Sequence, residues 1–301
     1  MADTAHQKAG AEGVGGGVGV TALLVAAARA LETHRPDSLA RDGFAEHFVR
    51  AAPVSAGWPV RPEQVPGGDA DPLWGRFARY FGLRTRVLDD YLLASARTGV
   101  RQVVLLGAGL DSRAFRLAWP PDCVVFEVDR PGVLEFKHRV LGALTALPRA
   151  ARVPVAADLR DDWVASLTGA GFDPAVPSVW LAEGLLFYLP HAAERRLVDQ
   201  VERLSAAGSA LAYEVKLEKD LLHYRDSAIY AATREQIGID LLALFSLERR
   251  PDSAGELSGR GWHTTVHTPF EFTRRHGRGP LPEPHDALEG NRWVFAAKPR
   301  A

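Results

Sequence analysis

The sequence predicts an α/β fold, a mostly parallel sheet with helices on both faces, and three observations carry that prediction. In the first, the apolar run Val103–Leu106 stops at Gly107-Ala108-Gly109. A short β-branched and leucine-rich run bounded by glycine fits a strand covered on both faces. Without a Cβ, Gly107 and Gly109 permit a tight turn and let a ligand reach the backbone, and the segment after them can present free helix N–H groups. In the second, the run from Val124 ends in Asp129, 22 positions after Gly107. That is close to the roughly 20-residue spacing at which an acid after the second strand of a nucleotide-binding βαβ unit accepts ribose hydroxyls. In the third, strand-like and helix-like stretches alternate as far as residue 215, the rhythm of a Rossmann-like sheet.

A Gly-Ala-Gly turn after a strand is common in itself. Its force comes from strand, loop, helix, second strand and terminal acid standing in one short unit. Position 112 is Ser, where the dinucleotide fingerprint Gly-x-Gly-x-x-Gly has its third glycine. The missing glycine weighs against a nicotinamide or flavin. A nucleoside without a pyrophosphate makes less use of it, and S-adenosylmethionine is the ligand of that kind to which the unit points.

At 301 residues and 47% hydrophobic content the chain can bury a large core, and one elaborated domain is expected. Its 36 basic and 37 acidic residues leave a formal charge of −1, with no general attraction to nucleic acid or anionic membrane. Cys123 is the only cysteine and opens the second strand, so a buried, inert thiol is expected. There is no uninterrupted apolar stretch of about 18 residues and no signal-like N-terminus, so a cytoplasmic protein is expected.

In chain order, residues 1–19 read as a flexible Gly-rich tail, and residues 20–301 as the single domain, with a helical cap at 20–98 and a lid insertion at about 217–255. Thr21 to Glu32 is rich in helix formers. Asp42 to Phe48 is a short helical or loop segment, and the Pro- and Gly-rich passage through Pro72 an exposed connection. Phe77 to Arg97 returns to helical periodicity and carries Arg84, Arg86, Asp89 and Asp90. These charges form a solvated helix face, or one arginine fastens a ligand carboxylate; spacing leaves both open.

After Asp129, Arg130-Pro131-Gly132 turns into a helix, and a third strand ends at Asp158, at the sheet edge where open α/β proteins bind ligands. A helix N-cap is the other reading of Asp158. Pro177 to Pro190 is the fourth strand and its exit, interrupted by Glu183, an acid that needs a partner in protein or ligand. Glu194 to Leu204 follows as an amphipathic helix and Ser209 to Val215 as a fifth strand. Residues 221–224 and 237–245 read as lid helices over the substrate site, and Trp262–His267 and Arg292–Lys298 as two late β segments.

Five motifs in series then resemble the leucine carboxyl methyltransferase family, and in particular its bacterial branch of S-adenosylmethionine-dependent O-methyltransferases from polyketide and other natural-product pathways. They are Leu83–Asp90, Gly107–Arg113, Glu127–Pro131, Ala157–Arg160 and Glu183–Leu189, in a match spanning roughly residues 20 to 300. The resemblance implies a class I methyltransferase fold and a site for the cofactor. Arg84 would hold its carboxylate, with Arg86 as second choice. The loop Gly107, Ala108 and Gly109 would lie against its methionine portion, and Asp129 would bind the ribose. Asp158 and Leu159 would flank the adenine, and Glu183 would lie near the amino group. Eukaryotic members methylate a protein C-terminal carboxylate, whereas bacterial relatives act on small molecules.

The expected activity is O-methyl transfer to a carboxylate or hydroxyl of a small molecule, without a metal, since the histidines show no close ligand pairing. A carboxylate arrives ionised and needs no base, whereas a phenol or alcohol calls for one, such as His191, His223, His263 or His267. Each of these reads first as a surface or packing histidine, and Tyr188, Tyr213 and Tyr224 equally as core or lid residues. Other readings are a methyltransferase of peptide or protein C-termini, a catalytically silent nucleotide-binding regulatory protein and, from the glycine loop alone, a dehydrogenase.

Overall fold

The computed structural model describes residues 18–216 and 225–300. The expected tail lies outside these residues except for Val18 and Gly19, which already belong to the first helix; the lid residues Leu221 to Tyr224 lie outside as well. Among the described residues seven strands form one sheet: β1 (Gln102–Leu106), β2 (Val124–Asp129), β3 (Ala151–Ala156), β4 (Ser178–Ala182), β5 (Ala210–Lys216), β6 (His263–His267) and β7 (Asn291–Ala297). Their order is β3-β2-β1-β4-β5-β7-β6. Strands β1 to β5 run parallel, and β7 is antiparallel between β5 and β6. The α/β expectation holds.

Burial along each strand follows its neighbours. Every residue of β1 and β4, in the middle of the sheet, is buried, and their continuous apolar runs suit strands covered on both faces. The edge strand β6, His-Thr-Thr-Val-His, is largely exposed and polar, as an unpaired edge requires. Because side chains alternate across a strand, Val103 and Leu105 enter one core and Val104 and Leu106 the other. The first core is closed by α1 (Val18–Thr33), α2 (Ala45–Ala51), α3 (Trp74–Arg97) and α5 (Pro131–Ala143), with the one-turn α4 (Arg113–Arg116) between β1 and β2. The second is closed by α6 (Trp163–Gly169) and α7 (His191–Arg203), around the edge-to-face pair Trp163 and Trp180. Truncating a buried leucine such as Leu105 to Ala would cost on the order of 2–5 kcal/mol. Two further helices, α8 (Ala228–Ile237) and α9 (Leu241–Leu244), pack on the first core, followed by α10 (Ser253–Gly259) and α11 (Pro269–His276).

The helical cap is held close by a small residue and a buried acid. A Cβ at Gly82 of α3 would stand 2.5 Å from the Glu32 side chain of α1, so only glycine lets the two helices approach this closely. Glu32 accepts from the Leu39 N–H at 2.6 Å and from Arg278 at 2.9 Å. That links α1 to the loop before β7. No described helix is long and apolar enough to cross a membrane.

Several boundaries differ from expectation for local reasons. The helix after the glycine loop is only one turn, and its first N–H is not free: the Asp111 carboxylate accepts from the Arg113 N–H at 2.6 Å. The third strand stops at Ala156, two residues before Asp158. Helix α3 starts at Trp74 because Asp71 accepts from the N–H groups of Leu73 and Trp74. Helix α11 was unforeseen, although Thr268-Pro269-Phe270-Glu271 is a capping box with Pro at the first turn.

Candidate active site

The carboxyl ends of β1, β2 and β4 meet where the strand order reverses, the place at which open α/β sheets form a ligand crevice. Register pairs Leu106 with Val128 and Leu105 with Leu181, so Gly107, Asp129 and Glu183 leave three adjacent strands at one level. They open onto a cavity of about 300 Å³. All eight residues singled out in the sequence line it: Arg84, Gly107, Ala108, Gly109, Asp129, Asp158, Leu159 and Glu183. Arg86 does not, being exposed on α3 and paired with Asp90 at 2.7 Å. For that pair the solvated-face reading was the right one.

The glycine loop is shaped by its backbone. Gly107 and Gly109 have φ of +63° and +48°, where a side chain is strained. Asp129 fastens the loop from β2: its Oδ2 accepts from the Gly109 N–H at 2.6 Å and its Oδ1 from the Arg130 N–H at 2.7 Å. Burial pushes the Asp129 carboxyl above its ordinary range, partly offset by these two N–H donors.

Opposite the loop lies a web of buried charge. Arg84 donates from Nη1 to Glu214 at 2.6 Å, and its Nε stands 2.9 Å from Glu183 without the alignment of a hydrogen bond. Its guanidinium lies 4.5 Å from the centre of the Phe81 ring. Burial lowers the affinity of Arg84 for its proton, but Glu214 and Glu183 outweigh that and hold the group above its ordinary value. Glu183 also accepts from Arg113 Nη1 at 2.6 Å. Burial would raise the Glu183 carboxyl, yet Arg113 and Arg84 bring it down to about 2. Arg113, fully buried, also pairs with Asp111 and with Asp89 at 2.7 Å. The partner that Glu183 required is therefore double, Arg84 and Arg113.

At the far end Asp158 is held by Arg160, at 2.9 Å from Nε, and its carboxyl is drawn below its ordinary value by that hydrogen bond, against a smaller effect of burial. It caps no helix: Asp162 is the N-cap of α6. Sequence reasoning missed Arg29, Asp111 and Arg130 as lining residues. The Asp-Ser-Arg sequence after the glycines was a signal for Asp111. Arg29, which donates to the Leu110 carbonyl at 2.7 Å, lay hidden in an alanine-rich helix.

A second chamber of about 80 Å³ adjoins the first and shares Thr21, Val25, Phe81, Arg84, Phe187 and Tyr188 with it. Burial pushes the Tyr188 phenol up to about 12, with a Thr21 hydrogen bond opposing. Among the described residues no histidine lines either chamber; His223 and Tyr224 are not among the described residues. His267 pairs with Glu271 at 2.8 Å, and the Tyr213 hydroxyl bonds Ser253 at 3.0 Å in the other core.

Sheet order and cavity define a class I methyltransferase, and comparison with known proteins agrees. The leucine carboxyl methyltransferase family model matches residues 22–202. A Streptomyces coelicolor protein named "putative S-adenosyl-L-methionine-dependent methyltransferase" is 70% identical over 301 residues, covering 100% of this chain and 99% of its own. A Rhodococcus jostii protein of the same description is 44% identical over 270 residues, covering 88% and 89%. A Thermobifida fusca crystal structure described as a "putative methyltransferase" superposes with a TM-score of 0.53 at 19% identity, over 84% of this chain and 94% of that one. The chain belongs to the leucine carboxyl methyltransferase family. It is an S-adenosylmethionine-dependent methyltransferase.

Proposed function

We propose that the protein methylates an oxygen of a small molecule, a carboxylate in preference to a hydroxyl, and that the eight lining residues bind its cofactor. The observation that carries the site assignment is the Arg84–Glu183 pair facing the glycine loop. The amino-acid end of S-adenosylmethionine is a zwitterion. With its carboxylate on Arg84 and its ammonium on Glu183, it replaces a poorly aligned ion pair by two matched ones and leaves no buried charge unpaired. The rest of the cavity fits the same molecule. A Cβ at Gly107 would reach 3.0 Å from Leu185 and narrow the groove. Each Asp129 oxygen keeps a lone pair for a ribose hydroxyl beyond the N–H it already accepts. Asp158 accepts from the adenine amine and Leu159 packs on the ring.

When bound, the cofactor supplies a methyl group on positively charged sulfur, and the carbon–sulfur bond breaks, its electron pair going to sulfur, as a lone pair on the acceptor oxygen forms the new bond. The chain's own work is to position and to exclude water. Arg84 and Glu183 fix one end of the cofactor, Asp129 the middle, and the apolar wall shared by the two chambers keeps water from the transfer point.

Preference for a carboxylate rests on how the acids that line the site are engaged. Among the described residues Asp111, Glu183 and Glu214 each hold an arginine, Asp158 holds Arg160, and Asp129 holds two N–H groups. None is placed to take a proton from a hydroxyl, and an ionised carboxylate has none to give up. Calorimetric titration with S-adenosylmethionine, S-adenosylhomocysteine and NAD tests the cofactor site. Saturable binding of the first two without NAD is expected; preference for NAD would refute it. Transfer to aromatic acids should stay flat between about pH 6 and 9, where carboxylates are already ionised. Transfer to phenols alone, rising with pH, would refute the carboxylate preference.

A further inference from the structure

The walls of the second chamber are mostly aromatic and aliphatic. On α3, Phe77, Tyr80, Phe81 and Arg84 follow the i, i+3, i+4, i+7 spacing of a single helix face and all line it. Phe77 and Tyr80 lock onto Phe81 with ring centres 5.2 and 5.0 Å apart. Phe187, Tyr188, Tyr230 and Phe245 also line it, and Phe245 packs against the other three, with ring centres 5.1, 5.5 and 6.4 Å away. Among the described residues Leu24, Val25, Ile229, Leu241, Ala287 and Leu288 complete the apolar lining.

The polar residues of the chamber are turned on one another. Glu214 and Lys216 alternate on one face of β5, and Asn291 is the cross-strand neighbour of Lys216. Glu214 accepts from the Tyr80 hydroxyl, from Arg84 at 2.6 Å and from Trp293 Nε1 at 3.2 Å. Lys216 donates to the Ala287 carbonyl and to Asn291 Oδ1 at 2.9 Å. With these groups matched, what the chamber offers is aromatic faces and edges. Such faces and edges favour another ring in offset or edge-to-face contact.

Size narrows the class further. The chamber holds about 80 Å³, less than the roughly 150 Å³ apolar cavity that accepts benzene, but it opens into the cofactor cavity at Thr21, Arg84 and Tyr188. At that size one ring is the most it can take, and only with its substituted edge standing in that opening; a second fused ring exceeds it. A peptide C-terminus would bring backbone N–H and C=O groups that this lining does not match.

We propose that the second chamber is the acceptor subsite and that it selects a single planar aromatic ring carrying the carboxylate to be methylated. This rests on the methyl-transfer reading. The ring lies among the two aromatic clusters, and the carboxylate stands at the opening beside Arg84 and the Tyr188 hydroxyl. An oxygen lone pair of the carboxylate forms the bond to the methyl carbon as the carbon–sulfur bond breaks toward sulfur. Carboxylate and sulfonium become a neutral ester and a neutral thioether, with no proton to place.

The test is calorimetric binding of benzoate, hexanoate and 2-naphthoate to protein saturated with S-adenosylhomocysteine. Benzoate should bind at least tenfold more tightly than the other two. Ile229→Phe, which fills the chamber, should weaken benzoate at least tenfold and leave S-adenosylhomocysteine unchanged. Phe245→Ala, which enlarges it, should improve 2-naphthoate and serves if the first variant does not fold. Wild-type protein that binds S-adenosylhomocysteine but prefers hexanoate or 2-naphthoate overturns the inference and spares the methyl-transfer reading. So does an Ile229→Phe variant with undiminished benzoate affinity. Failure of the wild type to bind S-adenosylhomocysteine overturns both.

Discussion

Replacing Arg84 with Ala should detach one end of the cofactor and leave the other held. Arg84 is 3% exposed and stands between Glu183 and Glu214. Breaking a buried ion pair by removing one partner costs on the order of 3–5 kcal/mol. Here the low end applies, because Glu183 keeps Arg113 while Glu214 keeps Tyr80 and Trp293. At roughly 2–4 °C per kcal/mol for a chain of this size, melting should fall by about 6–12 °C, leaving a folded protein to assay. A hydrogen bond to a charged group contributes about 1.5–3 kcal/mol. S-adenosylhomocysteine should therefore bind about 10- to 150-fold more weakly, at 1.4 kcal/mol per decade. The same titration with 5′-methylthioadenosine isolates the contact. That probe keeps adenine and ribose but lacks carboxylate and ammonium, so its affinity should not change. A folded variant with wild-type affinity for S-adenosylhomocysteine would refute the carboxylate contact. Equal weakening of both probes would show a general collapse of the cavity.

Three further predictions separate the remaining parts of the site. Asp129→Asn should weaken both probes alike, by about tenfold, since both carry the ribose and one charge-assisted acceptor is lost; a loss confined to S-adenosylhomocysteine would refute the ribose assignment. Gly107→Ala places a side chain at φ +63° and 3.0 Å from Leu185, and αL strain alone costs about 1–2 kcal/mol. Melting and cofactor affinity should both drop, and a variant unchanged in both would sink the argument from loop geometry. Glu183 is held down to about 2 from an ordinary 4.5, so the stability it contributes is fully present above pH 4.5 and is lost as pH falls toward 2. It amounts to about 3 kcal/mol by linkage. Melting temperature should fall more steeply between pH 5 and 3 in the wild type than in Glu183→Gln; parallel curves would contradict it.

Of the sheet, what the sequence disclosed was local. Val103–Leu106 and Gly107-Ala108-Gly109 announce strand and turn in adjacent residues, and Asp129 is legible because its distance along the chain is set by one helix and two strands. Glu183 stood out as an acid in an apolar run. Its partners did not: Arg113 is 70 positions away and Arg84 is 99, and only folding brings them within 3 Å. Ion pairs across such separations leave no spacing to read. The same applies to the aromatic chamber, whose rings come from α3, the exit of β4, α8 and the segment after α9. Phe77, Tyr80 and Phe81 could be seen as a helix face, but nothing local shows that they face Phe187 and Phe245. Helix starts were set where a backbone N–H found a side-chain partner, as at Asp111 and Asp71.

The buried web also bears on the direction of exchange between cofactor and product. At formal charge, Asp89, Asp111, Glu183 and Glu214 face Arg84, Arg113 and Arg116, and Lys216 stands on the same strand face as Glu214. The amino-acid end adds a carboxylate and an ammonium and leaves the net charge there unchanged. The sulfonium adds +1, and methyl transfer removes it. Demethylation therefore changes the cofactor's charge by one unit beside this web, in surroundings where water screens little. Arg116 and Asp89 belong to the web, though neither lines the cavity. Arg116→Gln would make the web one unit more negative. It should tighten S-adenosylmethionine relative to S-adenosylhomocysteine when the two are titrated side by side. An unchanged ratio would mean that only Arg84, Glu183 and Arg113 are felt at the sulfur.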